Sequence, residues 1–442
     1  DLPPSKRRAF LSVFSIPSSD SDQADTRRKQ LDDPDLLKDI EQFVSDLENG
    51  DYYQGWGWDD QQYQKRAFGD ESWVWEMEAL FERCSKIFLA GNYDLAVKGY
   101  GKLLRAFHLE EEIGHFCGPD LPESMIDTDL EEAKARYLRA VYITTPQGRR
   151  PSRLLSQFES LCYIGNLELG LQEIREAEPE ELPEFEDFLP SWIELLEQKP
   201  QEERFGRQRL HGYLLREATE LAEGTEGLAE LARRRGDRQP RAYHQWVLRL
   251  VQENSISEAI EAAREGVESI QEEWERAKLA DYLAQLAEDT EDIDLALESR
   301  RKAFQFGPCL RRLVACWSIC KEGGEDVDHF MKELLHQFNS AKDRPHNRLS
   351  AMLELTCGEY ASAVRRCTEA EPLGWSNRGH PGYVVFPFLL LAGTGCKEAP
   401  APSCMEQMLN DLDNLRPSFL PPQYLYPDLR DPLSDTSYTD LV

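Results

Sequence analysis

The chain reads as all-α, an α-solenoid of helix-turn-helix repeats with a flexible tail at each end. Three observations predict this. Apolar residues recur at 3.6-residue spacing in text dominated by Ala, Leu, Glu and Arg, and β-branched alternation is nearly absent. Turn signals near Asn254, Thr290, Gly324 and Gly358 advance in steps of 36, 34 and 34 residues, close to the period of paired-helix repeats. Helix starts and stops are also punctuated by capping residues, prolines and glycines where a helix needs them.

Taken in order, residues 1–33 read as a flexible N-terminal tail. Pro3-Pro4, Lys6-Arg7-Arg8 and Ser18 to Asp22 leave too little apolar surface to offset ordering entropy. Residues 34–72 predict one helix followed by an aromatic-rich loop. Residues 73–150 predict the first helical repeat region, with its clearest unit at Ile87 to Tyr100. There Ala90, Gly91, Tyr93, Ala96 and Tyr100 match the second half of a tetratricopeptide repeat. Small residues let two helices approach, glycine permits the turn, and aromatic rings fill the seam.

Thr128-Asp129-Leu130-Glu131 reads as a capping box opening a helix that Pro146 stops. Residues 151–415 predict the tetratricopeptide-like array proper. Pro190, Pro240, Pro308 and Pro345 are placed at first helical turns, Ser255 to Glu258 as a second capping box, and Gly236 and Gly307 as left-handed C-caps. Residues 416–442 form a Pro-rich tail, since Pro417, Pro421, Pro422, Pro427 and Pro432 forbid a helix.

Ala133 to Tyr142 with Thr145-Pro146, Glu226 to Arg234, and Ala259 to Gly266 resemble the helical region of bacterial SWIM zinc-finger proteins. The resemblance spans roughly residues 75–310 and implies a tetratricopeptide-like scaffold. The family's zinc site needs Cys-x-Cys followed by Cys-x-His, and neither pattern occurs here. Its zinc and DNA roles therefore do not carry over.

Charge narrows the function. Lys and Arg number 51 against 82 Asp and Glu, a net charge of −31, so phosphate backbones and anionic lipid are repelled. Direct nucleic-acid binding is not expected. An acidic chain that mimics nucleic acid would need carboxylates gathered on one face, but they are spread along nearly every helix. The longest apolar run, Tyr383 to Ala392, contains Pro387 and is about half the ~20 residues of a membrane helix, so no membrane insertion is expected. Ten cysteines without a Cys-x-x-Cys pair suggest a reducing, cytoplasmic setting. The start lacks the apolar core of a secretory signal, and Asp1 suggests a trimmed or partial chain.

Catalytic and cofactor signatures are missing. No Gly-x-Ser-x-Gly elbow or phosphate-cradling glycine loop occurs, and no cofactor is expected. His108, Glu110, Glu111, Glu112, His115 and Cys117 could assemble metal ligands, but their spacing suits a solvated loop better. His380-Pro381 reads as a turn, and Cys309, Cys316 and Cys320 as one apolar helical stripe. The basic runs Arg233-Arg234-Arg235 and Arg300-Arg301-Lys302 read as solvated or helix-end cations.

Partner-binding candidates fall on three segments. Trp56, Trp58 and Tyr63 lie in a cluster of eight aromatics between Tyr52 and Trp75, which reads as a solenoid-end plug or a binding hot spot. Arg7, Arg8, Phe10 and Phe14 pair cations with apolar anchors on the N-terminal tail, and Tyr424 and Tyr426 mark a docking segment on the C-terminal one. The expected function is a non-enzymatic scaffold or adaptor that binds protein partners within a larger complex; the alternative is an enzyme or regulatory subunit with an unrecognised site.

Overall fold

The computed structural model describes residues 33–59, 64–69, 71–109, 122–164, 169–199, 207–324, 326–340, 347–369, 380–382 and 384–385. Helices dominate, and the chain divides into two compact units, residues 1–195 and 196–442.

The first unit opens with α1 (Leu36–Asn49), whose Leu36, Ile40, Phe43 and Leu47 are buried at helical spacing. An antiparallel hairpin follows, β1 (Tyr53–Asp59) and β2 (Gln64–Gly69), with a register shift between Tyr53 and Gly55. The aromatic segment is therefore a hairpin and not the expected loop, and among the described residues it is the exception to an all-α fold. Tyr, Trp and Phe in alternation with Gly satisfy a strand better than a loop once a second strand pairs with them.

Then come α2 (Ser72–Leu89) and α3 (Tyr93–Ala106), packed on each other and on α1. A Cβ at Gly99 would lie 2.7 Å from Cys84 Sγ, so the two helices approach closely at that glycine. The short α4 (Pro122–Met125) leads to α5 (Leu130–Thr144), α6 (Arg150–Leu161), α7 (Leu171–Glu176) and α8 (Phe185–Glu197). The α5 cap is Asp129, which accepts from the Glu132 amide at 2.9 Å, one residue later than the predicted box. Pro190 lies inside α8 and not at its first turn. The ring is accommodated where Phe188, Leu189 and Trp192 anchor the helix in the core.

The second unit runs α9 (Arg207–Arg235), α10 (Arg241–Gln252), α11 (Ile256–Ser269), α12 (Glu273–Asp289), α13 (Ile293–Phe306), α14 (Leu310–Glu322), α15 (Val327–Ser340), α16 (Asn347–Thr356) and α17 (Tyr360–Glu369). Each helix packs on the next throughout. Cys316 and Cys320 are buried with Leu313, as the stripe predicts, whereas Cys309 precedes α14 in extended conformation and is only half-buried.

Six helix ends share one geometry. Gly50, Gly91, Asn254, Glu291, Gly324 and Gly358 all have φ between 60° and 80°. At Gly91 its amide donates to the Phe88 carbonyl and the Asn92 amide to that of Ile87, and the same pair of bonds recurs at Asn254, Glu291 and Gly358. This is the Schellman closure of a helix C-terminus. The left-handed residues 254, 291, 324 and 358 advance by 37, 33 and 34 residues. Gly236 and Gly307 end helices but are not left-handed; a Cβ there would meet the Tyr243 ring at 2.4 Å and the Arg312 guanidinium at 2.3 Å. Ser255 makes no side-chain cap.

Arg300 corrects the reading of its basic run. Its side chain is buried and pairs with Glu288 at 2.9 Å and Asp281 at 3.5 Å, while Arg312 holds Asp281 at 2.8 Å. Asp33, assigned to the tail, belongs to the fold: it forms a two-pronged bond with Arg83 at 2.9 Å.

The first unit depends on an arginine of α5. Arg139 is 1% exposed and reaches the Glu178 carboxylate at 3.3 Å, the carbonyls of Ile174 and Arg175 at 3.1 Å, and that of Glu180. The Tyr93 hydroxyl donates to the same carboxylate at 2.7 Å. Breaking a buried, hydrogen-bonded pair leaves an uncompensated charge, so Arg139→Met is expected to destabilise this unit by about 3–5 kcal/mol. Urea unfolding followed by circular dichroism checks this; a loss under about 1 kcal/mol, the worth of an exposed pair, would show that Arg139 holds nothing.

Candidate partner-binding groove

The groove arises where three helices of the second unit present stripes to a shared hollow. Gly224, at φ 66° and ψ −149°, breaks α9, so that Thr225–Arg235 runs as a helix of its own. On that segment Glu226, Ala229 and Arg233 fall at i, i+3 and i+7, one face. Trp246 and Leu250 contribute from α10, and Glu258, Glu261, Ala262 and Glu265 from α11. The hollow encloses about 430 Å³, within the size range of ligand pockets.

Its floor is apolar and its rim acidic. Ala229, Trp246, Leu250 and Ala262 are buried, whereas Glu226, Glu258 and Glu261 are exposed. Four carboxylates thus face one guanidinium, that of Arg233. The Arg233 guanidinium lies 4.8 Å from the Trp246 ring centre and forks onto Glu265, Nε to Oε1 at 3.0 Å and the terminal nitrogen to Oε2 at 3.1 Å. The Tyr243 hydroxyl donates to Glu265 at 3.0 Å, and its ring packs 6.0 Å from that of Trp246. Glu265 raises the Arg233 pKa further.

Side chains on the far side of α10 hold this wall in place. His244 Nε2 lies 3.1 Å from Glu275 of α12, which also pairs with Lys278 at 3.1 Å. Burial pushes the Glu275 carboxyl up, but the close approach of His244, joined by Lys278, outweighs it and holds the pKa at about 2.

The first unit holds a smaller hollow of about 200 Å³ between α2, α3 and α5. Its Arg136 is bonded to Ser85 at 2.6 Å and Glu132 at 2.7 Å. It offers less room than the groove.

The predicted site residues do not converge on the groove. Trp56 and Trp58 stand two apart on β1, opposite Ala67 and Lys65 of β2. The aromatic cluster divides: Trp73 is fully buried, Tyr52 packs on Phe43 and donates to Glu76, and Trp75 is 77% exposed. Arg7, Arg8, Phe10, Phe14, Tyr63, Tyr424 and Tyr426 lie outside the described residues, as do residues 110–121 of the histidine-rich segment. His108 Nε2 lies 3.1 Å from the Ser160 carbonyl oxygen, and His380 Nδ1 accepts from the Gly382 amide at 2.9 Å.

Sequence reasoning missed the groove. Arg233 reads with its neighbours as a solvated or helix-end cation and Glu258 as the end of a capping box, and nothing in the sequence singles out Glu261 or Glu265. The available signal was an acidic stripe at i, i+3 and i+7 following a helix that carries a Trp. No protein-family model matches the chain and no curated protein is similar to it. Neither comparison supports the resemblance to SWIM-finger proteins.

The His244–Glu275 pairing carries a pH signature. Because the folded pKa of Glu275 is depressed from 4.5 to about 2, its stabilisation is present above 4.5 and is lost as pH falls towards 2. The stability gap between the native protein and Glu275→Gln should shrink by about 3 kcal/mol across that window. Urea titrations of both proteins at successive pH values measure it; a gap independent of pH would remove the ion pair from the account.

Proposed function

We propose that the chain is a non-enzymatic scaffold or adaptor, a tetratricopeptide-like helical array that binds a protein partner within a larger complex in the cytoplasm. The groove of α9, α10 and α11 carries this reading. An apolar floor with an acidic rim, formed by stripes of successive helices, suits a segment of another protein better than a small molecule. The 33-to-37-residue advance of left-handed turns and the sequential packing of α9 to α17 support the repeat assignment.

The cysteines favour binding over nucleophilic chemistry. Burial pushes the Cys84 thiol up to about 12 and raises those of Cys309, Cys316, Cys357 and Cys367, the opposite of thiolate activation. An acidic rim on a chain of net charge −31 also disfavours a nucleic-acid partner. Among the described residues no helix is long and apolar enough to cross a membrane. The hairpin around Trp56 and Trp58, with exposed Trp75 beside it in sequence, serves as a second contact surface, and the tails add further ones.

Native purification with mass spectrometry tests the reading. Glu258→Lys/Glu261→Lys should remove the groove's partner from the recovered complex, and Trp56→Ala/Trp58→Ala should weaken recovery by the ~2 kcal/mol typical of a hot spot. Helical circular dichroism should be unchanged in both. Full recovery of every partner by both variants would overturn the proposal.

A further inference from the structure

The groove contains its own cation. Arg233 enters it from α9, lies over the Trp246 ring and forks onto Glu265, yet its side chain remains 56% exposed. A guanidinium so exposed is held weakly, because solvent screens the ion pair and competes for the ring contact. The two groups it occupies are held independently of it. Trp246 is buried in the wall of α10, and Glu265 is oriented by the Tyr243 hydroxyl. If Arg233 swings out into solvent, an aromatic face and an oriented carboxylate remain, the two elements that receive a cation.

Three more carboxylates stand around this position. Glu226 and Glu258 pair with no cation among the described residues, and Glu261 meets Arg264 only through an exposed contact at 3.2 Å. Inserting one more cation would leave the rim still acidic, so charge favours a basic occupant. The floor of Ala229, Leu250 and Ala262 beside the cage receives apolar side chains. The occupant that satisfies both is an amphipathic segment of a partner protein, with arginine or lysine adjoining leucine-like anchors.

We infer that Arg233 is a placeholder: it fills in cis the cation site over Trp246 and Glu265 that an arginine of a basic amphipathic partner segment takes on binding. This rests on the groove being the docking surface. Exchange of one guanidinium for another conserves the cation–π and carboxylate contacts, so the partner's gain comes from the rim charges and the apolar floor. The internal arginine lowers affinity and rejects occupants without a cation, because displacing Arg233 would leave Glu265 unpaired.

The test is isothermal titration of the full chain with a synthetic helical peptide bearing arginines on one face and leucines on the other. Arg233→Ala should bind it about tenfold tighter, since the competing internal contact is gone. Arg234→Ala, which removes an equal charge from the next residue, should change affinity little. Glu265→Gln, similar in size, should weaken binding, and a peptide with glutamine for arginine should not bind any variant. If Arg233→Ala binds no tighter than Arg234→Ala while Glu258→Lys/Glu261→Lys abolishes binding, the placeholder role fails and the groove stands. If the double charge reversal leaves binding of this peptide unchanged, with circular dichroism intact, the groove reading itself falls and the inference with it.

Discussion

Each helix pair of the second unit, α10–α11, α12–α13, α14–α15 and α16–α17, depends on reversing a helix within a few residues without leaving its last carbonyls unpaired. One left-handed residue does this, because it swings the chain back while two amides close onto the final turn. Gly324 and Gly358 adopt that conformation without a Cβ penalty, and Asn254 tolerates it. Glu291 does not, and holds φ 60° at a cost of about 1 kcal/mol. That it persists shows how strongly packing on both sides dictates the turn. Asp292, next in line, returns part of the cost by capping α13 through the Leu295 amide at 3.1 Å.

A second constraint comes from charge. An acidic chain must still anchor irregular segments, and it does so with buried arginines that gather carbonyls and carboxylates together. Arg139 ties the stretch after α7 to α5, and Arg150 binds Glu184 at 2.7 Å while stacking on Tyr142. Arg300 and Arg312 share Asp281 across three helices. The planar five-donor fork of arginine serves each place, since several acceptors surround it at once. The carboxylate excess that remains lies at the surface, and the groove rim is one place where it gathers.

The helices and their left-handed turns were largely legible because helix periodicity and turn chemistry are local properties. Gly91, Gly324 and Gly358 announce their turns by residue type, and the buried stripe of Cys316 and Cys320 follows from spacing alone. The hairpin was not legible, since Trp, Tyr and Gly in alternation suit strand and loop equally until a partner strand is known. Pro190 misled because a proline early in a helix and one at its first turn differ by a few residues, and tertiary packing decided which. The groove was the least legible: its residues come from three helices, and nothing in a linear reading brings Arg233, Trp246 and Glu265 together. The fate of Arg300 was hidden for the same reason, since burial of a cation depends on Glu288 and Asp281 from the preceding helix.

The regular advance of left-handed turns also governs how such a chain can change over generations. A whole helix pair carries its own reversal, so pairs can be gained or lost as units while each remaining seam keeps its shape. A single-residue insertion is a different event. It turns the remainder of a helix by about 100°, and between Trp246 and Leu250 it would direct one of the two away from the hollow. Drift in length is therefore tolerated at turns such as Asn254 and resisted within α10, where register and recognition are the same variable.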